Sequence, residues 1–257
     1  MKPYAKKRFG QNFLIDPNIL RKITRTIAPQ PDDIIVEIGP GKGALTKYLA
    51  EAGSSVIAIE IDDDLIHDLE KEYTNYPNVD IVHRDALKFD YSTVAGRNKK
   101  LRVVGNIPYN ISSPLLFRMF EFHNAIDDIH FLVQREIARR ICAKPNSKEY
   151  GILSVITQFY GDPKIAFEVS PNVFRPIPEV TSALLAIRMK ALSEKPEFIG
   201  NFYRTVRTAF AKRRKILRNT LAEIIPRSSG TSPLDLSRRA ESLTVTEFIA
   251  LTHWLFG

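Results

Sequence analysis

Cysteine is almost absent: Cys142 is the only one in 257 residues. No internal disulfide can form, and a reducing compartment is the natural home. No uninterrupted apolar stretch is long enough to span a bilayer. The first residues, Met1-Lys-Pro-Tyr-Ala-Lys-Lys-Arg8, lack the apolar core of a secretory signal. A cytoplasmic location with no membrane partner is therefore expected. Internal repeats and low-complexity tracts are missing as well, and no metal is expected. Acidic residues are in deficit, 29 against 37 Lys and Arg, which leaves a net charge of +8. Such an excess points to a polyanion, most often nucleic acid or a membrane surface; a basic enzyme without such a partner is the alternative. The 44% hydrophobic content suits a globular chain. The length permits one large α/β domain, or one such domain with a smaller companion.

What is present is a series of strands that each run into a chemically distinctive segment. Asp16-Pro17 reads as an N-cap with proline at the first helical position, opening a helix to about Ile27. Asp33–Ile38 is a buried-type strand that enters Gly39-Pro-Gly41-Lys42-Gly43-Ala44. Glycines at alternating positions allow a tight turn and close approach of a ligand. Gly39-x-Gly41-x-x-Ala44 also fits a dinucleotide fingerprint, so the glycines alone do not choose the cofactor. Glu37, which makes the stretch Glu-x-Gly-x-Gly-x-Gly, tilts the choice to S-adenosylmethionine. Ser54–Glu60 is the second strand, and Glu60 at its end can accept both hydroxyls of a ribose; a helix cap is the competing role. Val79–Leu87 is the third strand and its exit, where Asp85 can accept from an adenine amino group or serve as a plain loop carboxylate. Leu101–Asn106 is the fourth.

That fourth strand delivers Asn106-Ile107-Pro108-Tyr109. The exocyclic amine of adenine is a poor nucleophile because its lone pair is delocalised into the ring. Acceptors placed out of the ring plane favour the tetrahedral nitrogen that can take a methyl group. The side-chain oxygen of Asn106 and the carbonyl of Ile107 can be those acceptors, with Pro108 stiffening the turn. Tyr109 offers a face on which a base can stack. This is catalysis by orientation and preorganised dipoles. A strand end followed by an ordinary proline turn is the plainer reading.

Flanking segments fit a site of this kind. Gln11 and Asn12 sit among Phe9, Phe13 and Leu14, and the stretch is expected to lie across a pocket with its amides supplying hydrogen bonds. Ser170–Glu179 carries three prolines and Phe174, which suits either a base clamp opposite Tyr109 or a plug at the core rim. From about Lys190 the composition shifts through a linker at Ser193–Pro196. Phe202, Val206, Phe210, Ile216, Leu217 and Leu221 then recur at helical spacing. Arg204, Arg207, Arg214, Lys215 and Arg218 fall on the other face, where phosphate contact is expected. Arg213 projects into the apolar stripe, so a break near Ala211–Arg213 is expected. The division is 1–190 and 191–257.

Taken together, Lys7–Leu14, Glu37–Thr46, Asn106–Pro114, Phe174–Ala183 and Ala209–Leu221, with Arg213-Arg214-Lys215, resemble the bacterial type A family of small-subunit ribosomal RNA adenine N6-dimethyltransferases. The matching stretches span nearly the whole chain. Lys42 departs from the pattern, since many relatives place Leu there. The resemblance implies a Rossmann-like, S-adenosylmethionine-dependent methyltransferase domain and a small all-helical C-terminal domain. It implies two methyl transfers to each of two adjacent adenosines, in a hairpin loop near the 3′ end of the RNA of an immature small subunit. Gln11, Asn12, Leu14, Gly39, Gly41, Glu60, Asp85 and Asn106 would line the cofactor. Asn106 and Tyr109 would hold the target base, with Phe174 as second stacking partner, and Arg207, Arg213, Arg214, Lys215 and Arg218 would meet RNA. A monomer is expected. The alternatives are an RNA-binding assembly factor with dispensable catalysis, a large-subunit adenine methyltransferase, which shares Asn-Ile-Pro-Tyr, and a small-molecule methyltransferase with incidental charge.

Overall fold

Alternating apolar strands and amphipathic helices dominate the first two thirds of the chain. In the computed structural model, which describes residues 11–96, 99–212, 214–225 and 230–257, they become β1 (Phe13–Leu14), α1 (Pro17–Ile27), β2 (Ile34–Ile38), α2 (Ala44–Glu51), β3 (Ser55–Glu60), α3 (Asp63–Tyr73), β4 (Val79–His83) and β5 (Leu101–Asn106). There follow α4 (Ser112–Glu121), β6 (Ile126–Gln134), α5 (Arg135–Ile141), α6 (Ile152–Tyr160), β7 (Gly161–Val169), β8 (Phe174–Arg175) and β9 (Ser182–Met189). The chain closes with α7 (Pro196–Phe210), α8 (Leu217–Thr220) and α9 (Val245–Phe256).

The main sheet has seven strands in the order β4-β3-β2-β5-β6-β9-β7. Strands β2 to β6 run parallel, and β9 is antiparallel to β6. The chain lays β3 and β4 on one side of β2, then returns to place β5 on the other. Strand order thus reverses between β2 and β5, and the carboxyl ends of those two strands flank the crevice where open α/β sheets bind ligands. Gly39 follows β2 and Asn106 ends β5, so the glycine turn and the Asn-Ile-Pro-Tyr turn meet at the switch point. Gly105 permits this approach: a Cβ there would stand 2.5 Å from the Ile38 carbonyl oxygen.

Local chemistry fixes the first helix. Asp16 Oδ1 accepts from the N–H groups of Asn18 (2.7 Å) and Ile19 (3.1 Å), and Pro17 occupies the first turn. The buried face of Leu20, Ile23 and Ile27 packs with Ile35, Val104, Leu132 and Leu184 of the sheet. At the amino ends of the strands, Arg102 acts as a hub. Its Nε donates to both Asp128 oxygens at 3.1 Å, its Nη1 to Asp33 at 2.7 Å, and its Nη2 to the Ile27 carbonyl at 2.5 Å. The guanidinium therefore ties the end of α1 to the starts of β2, β5 and β6, well away from the crevice. Burial opposes the charges, but the pKa of Arg102 is raised by its bonds to Asp128 and Asp33, and that of Asp128 is lowered by His130 and Arg102.

The chain divides into two compact units, one running to Ala138 and adding Lys164–Lys190, the other comprising Arg139–Pro163 and Ala191–Gly257. This corrects the division expected at 190/191: residues 139–163 go with the C-terminal unit. The reason lies in α6, whose apolar residues are nearly all buried. Its Phe159 stacks on Phe202 of α7 at 4.3 Å between ring centroids, and Phe198 and Phe202 extend the stack. Within the same unit Phe210 stacks on Phe248 of α9 at 5.8 Å, and a Thr244–Glu247 capping box starts α9. The expected interruption after Phe210 is present, since α7 stops there and α8 begins at Leu217. Among the described residues no helix is long and apolar enough to cross a membrane.

Candidate active site

A cavity of about 460 Å³ opens at the switch point. The eight residues expected at the cofactor, Gln11, Asn12, Leu14, Gly39, Gly41, Glu60, Asp85 and Asn106, all line it, as does Tyr109. They come from the amino-terminal segment and from the ends of four successive parallel strands, which is why residues so far apart in sequence converge. The segment Lys7–Gly10 lies outside the described residues.

The glycine turn has a left-handed backbone, with φ of 65° at Gly39, 62° at Gly41 and 75° at Gly43. A Cβ on Gly39 would meet nothing within 4 Å, so the backbone there is open to a ligand. Gly41 is closed by Phe13, whose ring would touch a Cβ at 3.0 Å, and the Lys42 Nζ sits 5.2 Å over the same ring. The segment 11–15 thus lies across the turn, as the amides of Gln11 and Asn12 suggested. Gln11 Nε2 donates to Asp62 at 3.0 Å. Strand β1 pairs with β8, which secures the other edge of the segment.

Glu60 is 4% exposed. Its carboxylate accepts from the backbone N–H of Ile61 (2.8 Å), Asp62 (3.0 Å) and Gly41 (3.2 Å). These bonds link the end of β3 to the glycine turn and set the direction of the carboxylate. Burial nevertheless raises the pKa of Glu60, with the three N–H groups opposing. The helix cap that Glu60 might have supplied is instead Asp62, which accepts from Asp64 N–H. Glu37 is 2% exposed and accepts from Thr46 Oγ1 at 2.6 Å. Its carboxyl is pushed up to about 7 by burial, against the Thr46 hydrogen bond. Asp85 accepts from Leu87 N–H at 2.9 Å, which fixes its loop.

The Asn106 turn is held at every residue. Asn106 Nδ2 donates to the Asn12 carbonyl at 2.7 Å, which leaves Oδ1 as the accepting end of the amide. Ile107 N–H donates to the Leu132 carbonyl at 3.1 Å. The Pro108 carbonyl is committed to Ile111 N–H at 3.1 Å and to Ser112 Oγ at 3.3 Å. No hydrogen bond to the Ile107 carbonyl is found among the described residues. Tyr109 Oη and Ser182 Oγ lie 2.9 Å apart.

Phe174 departs from expectation. It is 1% exposed, belongs to the cluster of Leu14, Leu20 and Leu184, and is absent from the cavity wall. Pairing with Leu14 in the β1–β8 register turns it inward, so it plugs the core instead of facing Tyr109. Among the basic residues, Arg207, Arg214, Lys215 and Arg218 are exposed, and Arg213 lies outside the described residues. Arg214 shares a hollow of about 320 Å³ with Lys148, Arg239 and the carboxylate of Glu241, a grouping that sequence spacing does not reveal; the other three do not line it. Among the described residues no group of three or more His, Cys, Asp or Glu could hold a metal ion.

Comparison with known proteins joins this geometry to a family. A profile of ribosomal RNA adenine dimethylases matches residues 3–255. The chain belongs to that family. Ribosomal RNA small subunit methyltransferase A of Saccharophagus degradans is 43% identical over 256 residues, covering 98% of this chain and 95% of the relative. The protein of the same name from Hahella chejuensis is 41% identical, covering 98% and 93%. Among solved structures, a dimethyladenosine transferase from Plasmodium falciparum superimposes with a TM-score of 0.78 at 23% identity, covering 93% of this chain and 95% of that one. The 23S rRNA methyltransferase ErmE gives 0.73 at 24%, covering 96% and 100%. These two likenesses bear on the dimethylase fold alone.

Proposed function

We propose that this chain transfers methyl groups from S-adenosylmethionine to N6 of adenosines in small-subunit ribosomal RNA. Two adjacent adenosines in a hairpin loop near the 3′ end of the RNA each receive two methyl groups. The substrate is an immature small subunit, and the enzyme works as a monomer in the cytoplasm.

The cofactor fits the residues present. The open left-handed backbone at Gly39 admits the methionine portion. The Glu60 carboxylate, aimed by three backbone N–H groups, suits a ribose diol. Asp85 at the exit of β4 suits an adenine amine. When bound, S-adenosylmethionine supplies an electrophilic methyl group. The observation that carries the reading is the orientation of the Asn106 amide. Its nitrogen is spent on Asn12, so its oxygen accepts from the target amine. The Ile107 carbonyl is the second acceptor, and the two draw the nitrogen towards a tetrahedral geometry. The amine sheds its proton after alkylation, so no carboxylate base is required. Tyr109 stacks on the base. Phe174, being in the core, does not. A hairpin loop makes flipping cheap, because little stacking is lost.

Relatives at 41% and 43% identity carry the name of small-subunit methyltransferases. The exposed Arg207, Arg214, Lys215 and Arg218, the hollow of Lys148, Arg214 and Arg239, and the net charge of +8 support phosphate contact. The test is transfer of a radiolabelled methyl group to immature small subunits from a strain lacking the modification, with digestion to identify N6,N6-dimethyladenosine. No incorporation by protein shown to bind cofactor would overturn the proposal.

A further inference from the structure

Three of the four pins on the Asn106–Tyr109 turn come from its own helix, its neighbouring parallel strand or the amino-terminal segment. The fourth comes from the antiparallel part of the sheet. Tyr109 Oη meets Ser182 Oγ at 2.9 Å. Ser182 is 1% exposed, opens β9, and sits opposite Gln134 at the carboxyl end of β6. Strand β6 also supplies the Leu132 carbonyl that accepts from Ile107 N–H at 3.1 Å. The end of β6 and the start of β9 therefore frame the turn from one side.

A tyrosine ring fixed only at its Cα can swing and tilt. One held also at its phenol cannot swing, because the second attachment selects the χ1 rotamer and fixes where the ring sits. Ordering is then completed in folding and need not be repeated when a base arrives. The site has reason to depend on this. Phe174 is in the core and offers no second face across the base, and any drift of the Tyr109 ring moves the target nitrogen relative to the Asn106 oxygen.

We propose that Ser182 is a positioning residue for methyl transfer: its hydroxyl holds the ring of Tyr109 in the place where it receives the target adenine. The inference rests on the reading that Tyr109 stacks on that base, and it extends to a residue outside the cavity lining.

The test is a double-mutant cycle with Tyr109→Phe, which keeps the ring and removes the phenol, and Ser182→Ala. Ser182→Thr, which keeps the hydroxyl on a residue suited to strands, is the rescue. Turnover is measured at saturating cofactor and RNA, cofactor affinity by calorimetry with S-adenosylhomocysteine, and folding by thermal midpoint. Each single variant should lower kcat about tenfold, an effect expected where an interaction acts on the transition state more than on binding. The double variant should be no slower than either single one, because the two remove the same bond. Cofactor affinity should stay within about twofold of the parent in both, and Ser182→Thr should recover most of the rate. Parental kcat in Ser182→Ala, losses that multiply in the double variant, or a cofactor affinity that falls in step with kcat would each overturn the inference. If Ser182→Ala folds poorly, Tyr109→Phe decides: full activity there overturns it. A parent that binds cofactor but methylates no small-subunit RNA removes the proposed function instead, so the two failures are distinguishable.

Discussion

At the scale of single residues, Glu60 and Glu37 are two buried carboxyl groups with opposite duties. Glu60 spends its oxygens on backbone N–H groups that face the crevice. Glu60→Ala leaves those donors unsatisfied and deletes the ribose acceptor. Cofactor affinity should fall roughly 10- to 100-fold, the worth of one or two charge-assisted hydrogen bonds. Calorimetry with S-adenosylhomocysteine checks this, and an unchanged affinity contradicts it. Glu37 lines the cavity floor with its carboxyl bound to Thr46, and burial raises its pKa from 4.5 to about 7. Between those values the unfolded chain has released a proton that the folded chain retains, so the folded state binds more protons and stability must fall as pH rises. Glu37→Gln removes the titration. Its thermal midpoint should vary less than the parent's between pH 5 and pH 8, with the variant gaining relative to the parent at the upper end; parallel curves would contradict it. The motif made Glu37 and Glu60 visible in the sequence, but not this division of labour, which depends on Thr46 and on the amides of Ile61, Asp62 and Gly41. Phe174 shows the same limit. Its neighbours in sequence allow either face, and only the pairing with Leu14 turns it inward.

At the scale of elements, the strand ends were legible because chemistry and order coincide. Gly39, Glu60, Asp85 and Asn106 stand at or just past the ends of four parallel strands, and the reversal of strand order brings the first and last together. What stayed hidden was long-range pairing of polar groups. Arg102, Asp33 and Asp128 each read as unremarkable strand or loop residues, yet they join three strands to α1. The place of residues 139–163 is hidden for a similar reason: α6 is apolar nearly all round, and such a pattern does not say which unit it packs on. The Arg102 hub makes a prediction at this scale. Arg102→Met strands two partly buried carboxylates, a change that costs about 3–5 kcal/mol where a buried pair is broken from one side. Denaturant unfolding should show a loss of that order. The double variant Arg102→Met with Asp128→Leu should recover part of it, whereas equal losses in both would contradict the ion-pair account. The crevice lies at the other end of the strands, so cofactor affinity in the folded fraction should be close to the parent's.

At the scale of the whole molecule, the excess of positive charge was plain in composition, while its arrangement was not. Lys148 and Arg239 stand far from the Arg214-Lys215 run in sequence, and the packing of the C-terminal unit gathers Lys148, Arg214 and Arg239 around one hollow, three positive charges against the single carboxylate of Glu241. A charge that merely aids solubility and a charge that meets phosphate differ in one measurable way. Each phosphate contact releases condensed counterions, so the logarithm of the binding constant falls linearly with the logarithm of salt concentration, by about 0.7 to 0.9 per contact. Removing a contact flattens that line. Lys148→Ala and Arg239→Ala should each weaken binding to small-subunit RNA and reduce the slope by about 1 or somewhat less. Cofactor affinity, which depends on a cavity wholly within the other unit, should be unaffected. A variant that weakens RNA binding with the slope unchanged has lost packing and not a phosphate contact, and a slope that is small in the parent would return the charge to the role of solubility.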